Sequence, residues 1–258
     1  MGSLEHLRTT GANFVSIVVT WYQWNITSTS IFPLFNRSAI RDTTAGYYVF
    51  VTESDGAVRA AIRKAKSLGF KVMLKPHVDL LRNEHPVGQF WRGDIGGCST
   101  DSPFGAADWD RWFASYESFF TRYALLAEDE GVDLMSINCE LSCANRQSTR
   151  WRSLISRARK VFSGLLTEAA MPPEAGSPPQ AGRECAGRTV GSPPRPPYTE
   201  TIDWYDALDI IGLDAYYVVN GTTVEEVKEQ WKPHITFAKN LSFTFGKAVV
   251  FTEIGYCK

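Results

Sequence analysis

The chain has 258 residues, 27 Lys and Arg against 28 Asp and Glu, a formal net charge of −1, and 44% hydrophobic residues. That length suits one large domain with a sizeable core, and so even a charge balance gives no reason to expect nucleic acid or an anionic membrane as partner. No run of about 18 apolar residues offers a transmembrane helix, and the opening MGSLEHLRTTG lacks the basic-then-apolar pattern of a signal peptide.

Ser3 can cap a short helix over residues 4–9, stopped by Gly11. Residues 13–20 (NFVSIVVT) read as a β-branched first strand, with Trp21, Tyr22, Gln23 and Trp24 at its carboxyl end. A long aromatic-containing connection runs to Val51, and loops of that length are functional or disordered. Thr52 and Asp55 can form a capping box for a helix over 57–68, stopped by Gly69. Residues 71–74 are the next strand, leading into Lys75-Pro76-His77-Val78-Asp79 and a loop with Trp91-Arg92-Gly93-Asp94. Asp108 is placed to cap a helix over 109–130.

Gly131 then ends the helix, and the apolar run 134–137 delivers an acid, Glu140, at its end. A basic helix over 149–162 and a poorly marked strand over 165–169 follow. Residues 171–197 change abruptly to Pro, Gly, Ser, Ala and Arg, a composition that builds no core, and read as a flexible insertion. Helical character returns over 203–208, a strand over 210–213 ends in Asp214-Ala215-Tyr216-Tyr217, and residues 224–245 are helical with Pro233 as a break or kink. The last apolar run, 248–251, delivers a second acid, Glu253.

Short apolar runs separated by helices predict an α/β domain with a parallel sheet buried on both faces. Six strands are expected, each ending in polar or aromatic residues. Decoration at every strand end fits a (β/α)8 barrel better than an open doubly wound sheet with one switch point, although six is two short of eight.

Eight Trp, ten Tyr and fifteen Phe either line a cleft or fill a large core. Five cysteines have no metal spacing; Cys139 and Cys143 are expected as two buried thiols rather than a disulfide or metal pair. His77 with Asp79 and Asp214 is the best metal candidate, but no second His stands near His77 in a ligand spacing, so no metal is expected. The Arg92-Gly93-Asp94 tripeptide is a chance match to an adhesion motif. Four sequons, at Asn25, Asn36, Asn220 and Asn240, lean towards a secretory route.

The run Lys75 to Asp79, then Trp91-Arg92-Gly93, Trp109 through Tyr123, Asp133-Leu134 to Glu140-Leu141-Ser142, Asp209 to Tyr217 and Phe251 to Tyr256, resembles glycoside hydrolase family 113. That resemblance covers most of the chain outside the Pro-rich stretch and implies a retaining β-mannanase on a (β/α)8 barrel. It implies Glu140 at the end of barrel strand four as general acid/base and Glu253 at the end of strand seven as nucleophile. It leaves strand one before Met1 and strand eight after Lys258, so an incomplete barrel is expected. Many relatives place Asn directly before the acid/base; here Cys139 stands there and Asn138 is one position earlier.

Glycosidic bonds break between two carboxyl groups, held about 5–5.5 Å apart when one attacks carbon and the other protonates the leaving oxygen. The nucleophile must stay ionised, and Tyr216 or Tyr217 and Arg92 are candidate donors to it. His77 and Asp79 are either sugar-binding groups or a structural pair. Trp21, Trp24 and Trp91 are expected to stack on sugar faces, and Asn138 and Asp214 complete the expected substrate-binding set. The expectation is therefore a monomeric hydrolase of β-1,4-mannan or a related β-linked polysaccharide, without cofactor. The rivals are a hydrolase of glucan or xylan and an inactive carbohydrate-binding relative.

Overall fold

The computed structural model describes residues 2–36, 51–82, 84–85, 88–98, 100–101, 103–172, 202–217 and 219–255. Helix α1 (Ser3–Thr9) leads to β1 (Phe14–Gln23), α2 (Asp55–Ser67) and β2 (Lys71–Leu80). A two-residue antiparallel pair, β3 (Glu84–His85) and β4 (Gly88–Gln89), precedes a 3₁₀ turn at Arg92–Asp94. Then come α3 (Ala106–Asp129), β5 (Leu134–Cys139), α4 (Ser148–Ala158), β6 (Leu165–Ala169), β7 (Ile210–Ala215), α5 (Val224–Phe245) and β8 (Ala248–Ile254).

The six longer strands are all parallel. Four form one sheet in the order β1-β2-β5-β6, and β7 pairs with β8. A parallel bridge between Ala170 and Leu213 joins the two sets. In a flat sheet β2 and β8 would stand four strand spacings apart, about 19 Å. Yet the Lys75 ammonium on β2 bonds directly to Asp214 on β7 and Glu253 on β8. The sheet therefore curls so that its inner faces meet, as in the wall of a barrel. No pairing between β1 and β8 closes it among the described residues.

The outer layer is held chiefly by α3. Its apolar stripe includes Trp109, Trp112, Phe113, Tyr116, Phe119, Phe120 and Tyr123, all buried. Trp112 stacks on Tyr116 at 4.8 Å, and Phe113 and Tyr116 meet Trp151 of α4 edge-on at 4.9 and 5.4 Å. Trp151 in turn stacks on Trp204 at 5.5 Å. Their polar tips are satisfied: the Trp112 indole donates to Gln23 and the Tyr116 hydroxyl to the Ile137 carbonyl. Truncating one such fully buried Trp costs about 3–5 kcal/mol. Most aromatics of this region thus fill a core instead of lining a cleft.

Local signals differ from expectation at several ends. Gly2, not Ser3, stands at the N-cap of α1. Ser54, not Thr52, caps α2 by accepting from the Ala57 amide. Thr52 is instead a buried tie, donating to the Thr20 carbonyl and accepting from the Leu34 amide. Asp108 is the third residue of α3 and accepts from the Gly105 amide. Helix α4 ends at Ala158 rather than residue 162, and only a 3₁₀ turn, Tyr205–Ala207, forms where a helix over 203–208 was expected. Helix α5 runs on through Pro233, from a Thr223–Glu226 capping box to Gly246 in the left-handed region. The stretch 173–197 lies outside the described residues, as do Cys185 and Cys257. Among the described residues no helix is long and apolar enough to cross a membrane.

Candidate active site

Strand alternation places alternate residues of β2 inward. Parallel register puts Lys75 beside Val18, His77 beside Thr20 and Asp79 beside Tyr22. Lys75 and His77 are thereby buried polar groups on the inner face, a costly placement unless they are bonded. Lys75 Nζ lies 3.0 Å from both Asp214 oxygens and also bonds Glu253 Oε1. Burial opposes its charge, but the neighbouring negative groups, Asp214 and Glu253 among them, prevail and raise its pKa. Asp214 also accepts from the Thr252 hydroxyl at 2.6 Å; burial raises its pKa despite Lys75.

Arg92, on the loop after β4, forms a fork with Asp79 at 2.8 and 3.0 Å. Its Nη1 also reaches His77 Nδ1 at 2.9 Å, Cys139 Sγ at 3.2 Å and a Glu140 oxygen at 3.8 Å. Arginine only donates, so His77 Nδ1 accepts and Nε2 carries the imidazole proton. Burial, then the Arg92 and Lys75 charges, push the His77 pKa well below 6.5, so the ring is neutral. Its Nε2–H is buried with no hydrogen-bond partner among the described residues.

Glu140 follows β5 with a backbone φ of 54°, the one non-glycine at positive φ among the described residues. Such conformations are costly and collect at functional sites. Its amide donates to the Ala169 carbonyl of β6. Burial raises its carboxyl pKa from 4.5 to about 7; Arg92 opposes the rise, while Asp214 and Glu253 add to it. Glu253 moves the other way. Burial would raise it, but the Lys75 hydrogen bond and charge and the Tyr216 hydroxyl, donating at 2.7 Å, hold it below 4.5. The Tyr216 ring lies over Gly255, where an added Cβ would come within 2.5 Å of it, so glycine there makes room for the donor.

Cys139 Sγ marks where the two acids converge. It lies within 4.8 Å of ligand atoms of Glu140 and Asp214 in one grouping, and of His77 and Glu253 in another. Both groupings have a spacing that a cation could use. Lys75 and Arg92 already supply positive charge to these atoms, and His77 Nε2 is a donor, so the residues fit ammonium and guanidinium pairing better than a metal.

Several expected residues sit elsewhere. Strand β1 extends to Gln23, which carries Trp21 to the helix-facing side, where its indole donates to Tyr123 at 2.9 Å and packs on Phe119; it is no sugar platform. Register shifts between Ser136 and Cys139, turning Cys139 towards Arg92 and Asp214, while Asn138 bonds Asn145 in the cluster around buried Glu168. Tyr217 packs on Trp231 and His234 of α5, leaving Tyr216 as the donor to Glu253. Arg92 bonds Asp79 and His77 rather than Glu253. Cys143 is not a free thiol: it pairs with Cys98, tying the Arg92 loop to the loop after Glu140. Cys139 is free and buried, as expected. Trp24 is 44% exposed beside Phe32 and Arg82, and Trp91 is half-buried against Gly93. Lys75, Thr252 and Cys139 are site residues that the sequence reading did not assign. For Lys75 the signal was there, since the alternation Lys75, His77, Asp79 sets three polar groups on one face of a buried strand.

The chain matches the model of Glycoside Hydrolase Family 113 over residues 1–258. It is similar to the solved GH113 β-mannanase from Alicyclobacillus acidocaldarius in complex with ManMIm, at 23% identity over 98% of this chain and 64% of that one, TM-score 0.70. Two further solved structures of GH113 β-1,4-mannanase show 24% and 25% identity over 96% of this chain and 63% of theirs, TM-score 0.67 each. No curated protein matches. The chain thus spans less than two thirds of each of these solved chains, and the likeness carries the fold. The family match covers every residue, and the chain belongs to Glycoside Hydrolase Family 113.

Proposed function

We propose that this chain hydrolyses β-1,4-mannan or a related β-linked polysaccharide by double displacement, with Glu253 as nucleophile and Glu140 as general acid/base. One observation carries the reading: two carboxyl groups around one buried thiol have pKa values driven apart, Glu140 up to about 7 and Glu253 down. Environments that separate a pair of acids in this way assign their roles.

Glu253, kept ionised by Lys75 and Tyr216, attacks the anomeric carbon. Glu140, protonated in its buried setting, gives its proton to the leaving oxygen. The resulting glycosyl ester is then attacked by water, from which Glu140, now ionised, takes a proton. The His77 Nε2–H is a buried donor placed to meet a substrate hydroxyl. Trp24 and Trp91 are the remaining candidate stacking surfaces. A disulfide between Cys98 and Cys143, with the sequons, favours an oxidising compartment.

The test is an assay of the purified chain on mannan, glucan and xylan, beside Glu140→Ala and Glu253→Ala. Hydrolysis of mannan lost in both variants supports the reading. Preference for glucan or xylan would change the substrate, and activity surviving in Glu253→Ala would overturn the mechanism.

A further inference from the structure

Glu168, in β6, is fully buried and has no ion-pair partner among the described residues. It stands with two amides. Asn145 Nδ2 donates to Glu168 Oε1 at 2.6 Å, and Asn138 Nδ2 donates to Asn145 Oδ1 at 3.0 Å. Two atoms of this cluster, Glu168 Oε2 and Asn138 Oδ1, are buried without a hydrogen-bond partner among the described residues. Both are acceptors if Glu168 is ionised, and leaving two acceptors buried and unmet is expensive. One proton on Oε2 converts an acceptor into the donor that the cluster lacks. Burial drives the carboxyl the same way, raising its pKa well above 4.5 against the pull of the two Asn side chains.

The cluster brackets the acid/base. Asn138 precedes Glu140 by two residues, Asn145 follows it by five, and the carbonyl of Ala169, next to Glu168, accepts the Glu140 amide. Within this bracket lie the register shift of β5 and the left-handed Glu140 backbone. The Trp204 indole, donating to the Asn145 carbonyl at 3.0 Å, fixes the far end.

We infer that Glu168 is a positioning residue, held as the neutral acid, that closes the 138–145 segment through Asn138 and Asn145 and so sets the Glu140 carboxyl for proton transfer. This rests on the proposed role of Glu140. A neutral side chain of the same shape should serve equally: in Glu168→Gln the amide carbonyl still accepts from Asn145 and the amide NH₂ still donates. Removing the bracket should move Glu140 without touching substrate contacts.

The test compares wild type, Glu168→Gln, Glu168→Ala and Asn145→Ala by kcat, KM, pH profile and melting temperature. It adds an activity-free measurement, the titration of Glu140 by carbon-13 NMR of labelled glutamate. Expected are a Gln variant close to wild type in every readout, and Ala variants with kcat lower by roughly 10- to 100-fold, KM little changed and the Glu140 titration displaced. Infrared difference between wild type and Glu168→Gln at neutral pH should show the carbonyl stretch of an unionised acid. A carboxylate band there, or a Gln variant as impaired as Ala, overturns the inference. So does an Ala variant that loses only melting temperature while its Glu140 titration stays put. Should Glu168→Ala fail to fold, Asn145→Ala with the infrared band decides alone. Wild type without glycosidase activity would defeat the proposed function, while the NMR and infrared results would still decide the role of Glu168.

Discussion

Lys75 and Glu253, 178 residues apart in sequence, are bonded directly across the inner face of the curled sheet, and the same ammonium also bonds Asp214, so that Lys75 is shared by the two carboxylates. This pairing explains how a carboxylate in a partly buried site stays ionised. Replacing Lys75 with Met should raise the Glu253 pKa and move the acidic limb of the kcat/KM profile to higher pH. Losing one partner of a buried pair also costs about 3–5 kcal/mol, which denaturant unfolding would register. An unmoved acidic limb would mean that the Tyr216 hydroxyl and the Arg92 charge suffice to hold Glu253 ionised.

On the proposed assignment Glu140 sets the other limb. Its pKa of about 7 predicts that activity falls as pH rises through that value, because the acid must be protonated to act. Stability follows with a definite sign. Between about pH 4.5 and 7 the folded chain holds more protons than the unfolded one, so stability falls with rising pH. Glu140→Gln should therefore match wild type in acid and exceed it by roughly 3 kcal/mol once pH is above both values. Equal unfolding free energies at alkaline pH would contradict the burial of that carboxyl.

The two acids should also separate chemically. Glu253→Ala should lose at least ~10⁴-fold in kcat. Glu140→Ala should lose about 10²–10⁴-fold on poor leaving groups and far less on activated aryl glycosides. Azide should restore turnover in Glu140→Ala and give a β-glycosyl azide. A β-azide formed by Glu253→Ala instead would reverse the assignment.

That Glu140 and Glu253 stand at strand ends was legible because each follows a short apolar run. Strand β5 is buried throughout as expected. Strand β8, expected to be buried on both faces, leaves Val250 and Phe251 exposed because no strand pairs with its outer edge among the described residues. The surroundings of the two acids were less legible. That the adjacent residues Thr252 and Glu253 both reach the Asp214–Lys75 cluster goes with a register shift opposite Leu213 and Asp214, and whether Asn138 or Cys139 faces the site depends on another in β5. Such shifts arise from pairing with neighbouring strands, and no local pattern announces them. Trp21 was misplaced because β1 continues three residues past Thr20, which settles by alternation which face the indole takes. The curl that brings Lys75 to Glu253 is likewise a property of the whole sheet, so a lysine within an apolar run gave no hint of its partners.

The Cys98–Cys143 disulfide joins the Arg92 loop to the Glu140 loop, and the Cys143 amide donates to the Gly93 carbonyl between them. It closes a loop of 45 residues, for which chain entropy gives about 4 kcal/mol as an upper figure. Cys98→Ser should lower the melting temperature and, by loosening Arg92 against Glu140, reduce kcat. A variant with unchanged kcat and only a lower melting temperature would limit the bridge to stability.

The most direct test of the account is the configuration of the first product. Proton NMR of a manno-oligosaccharide digest, recorded before mutarotation, should show the β-anomer appearing first, as double displacement through Glu253 requires. Initial release of the α-anomer would mean single displacement, with the two carboxyl groups about 6.5–9.5 Å apart, and would contradict the role given to Glu253.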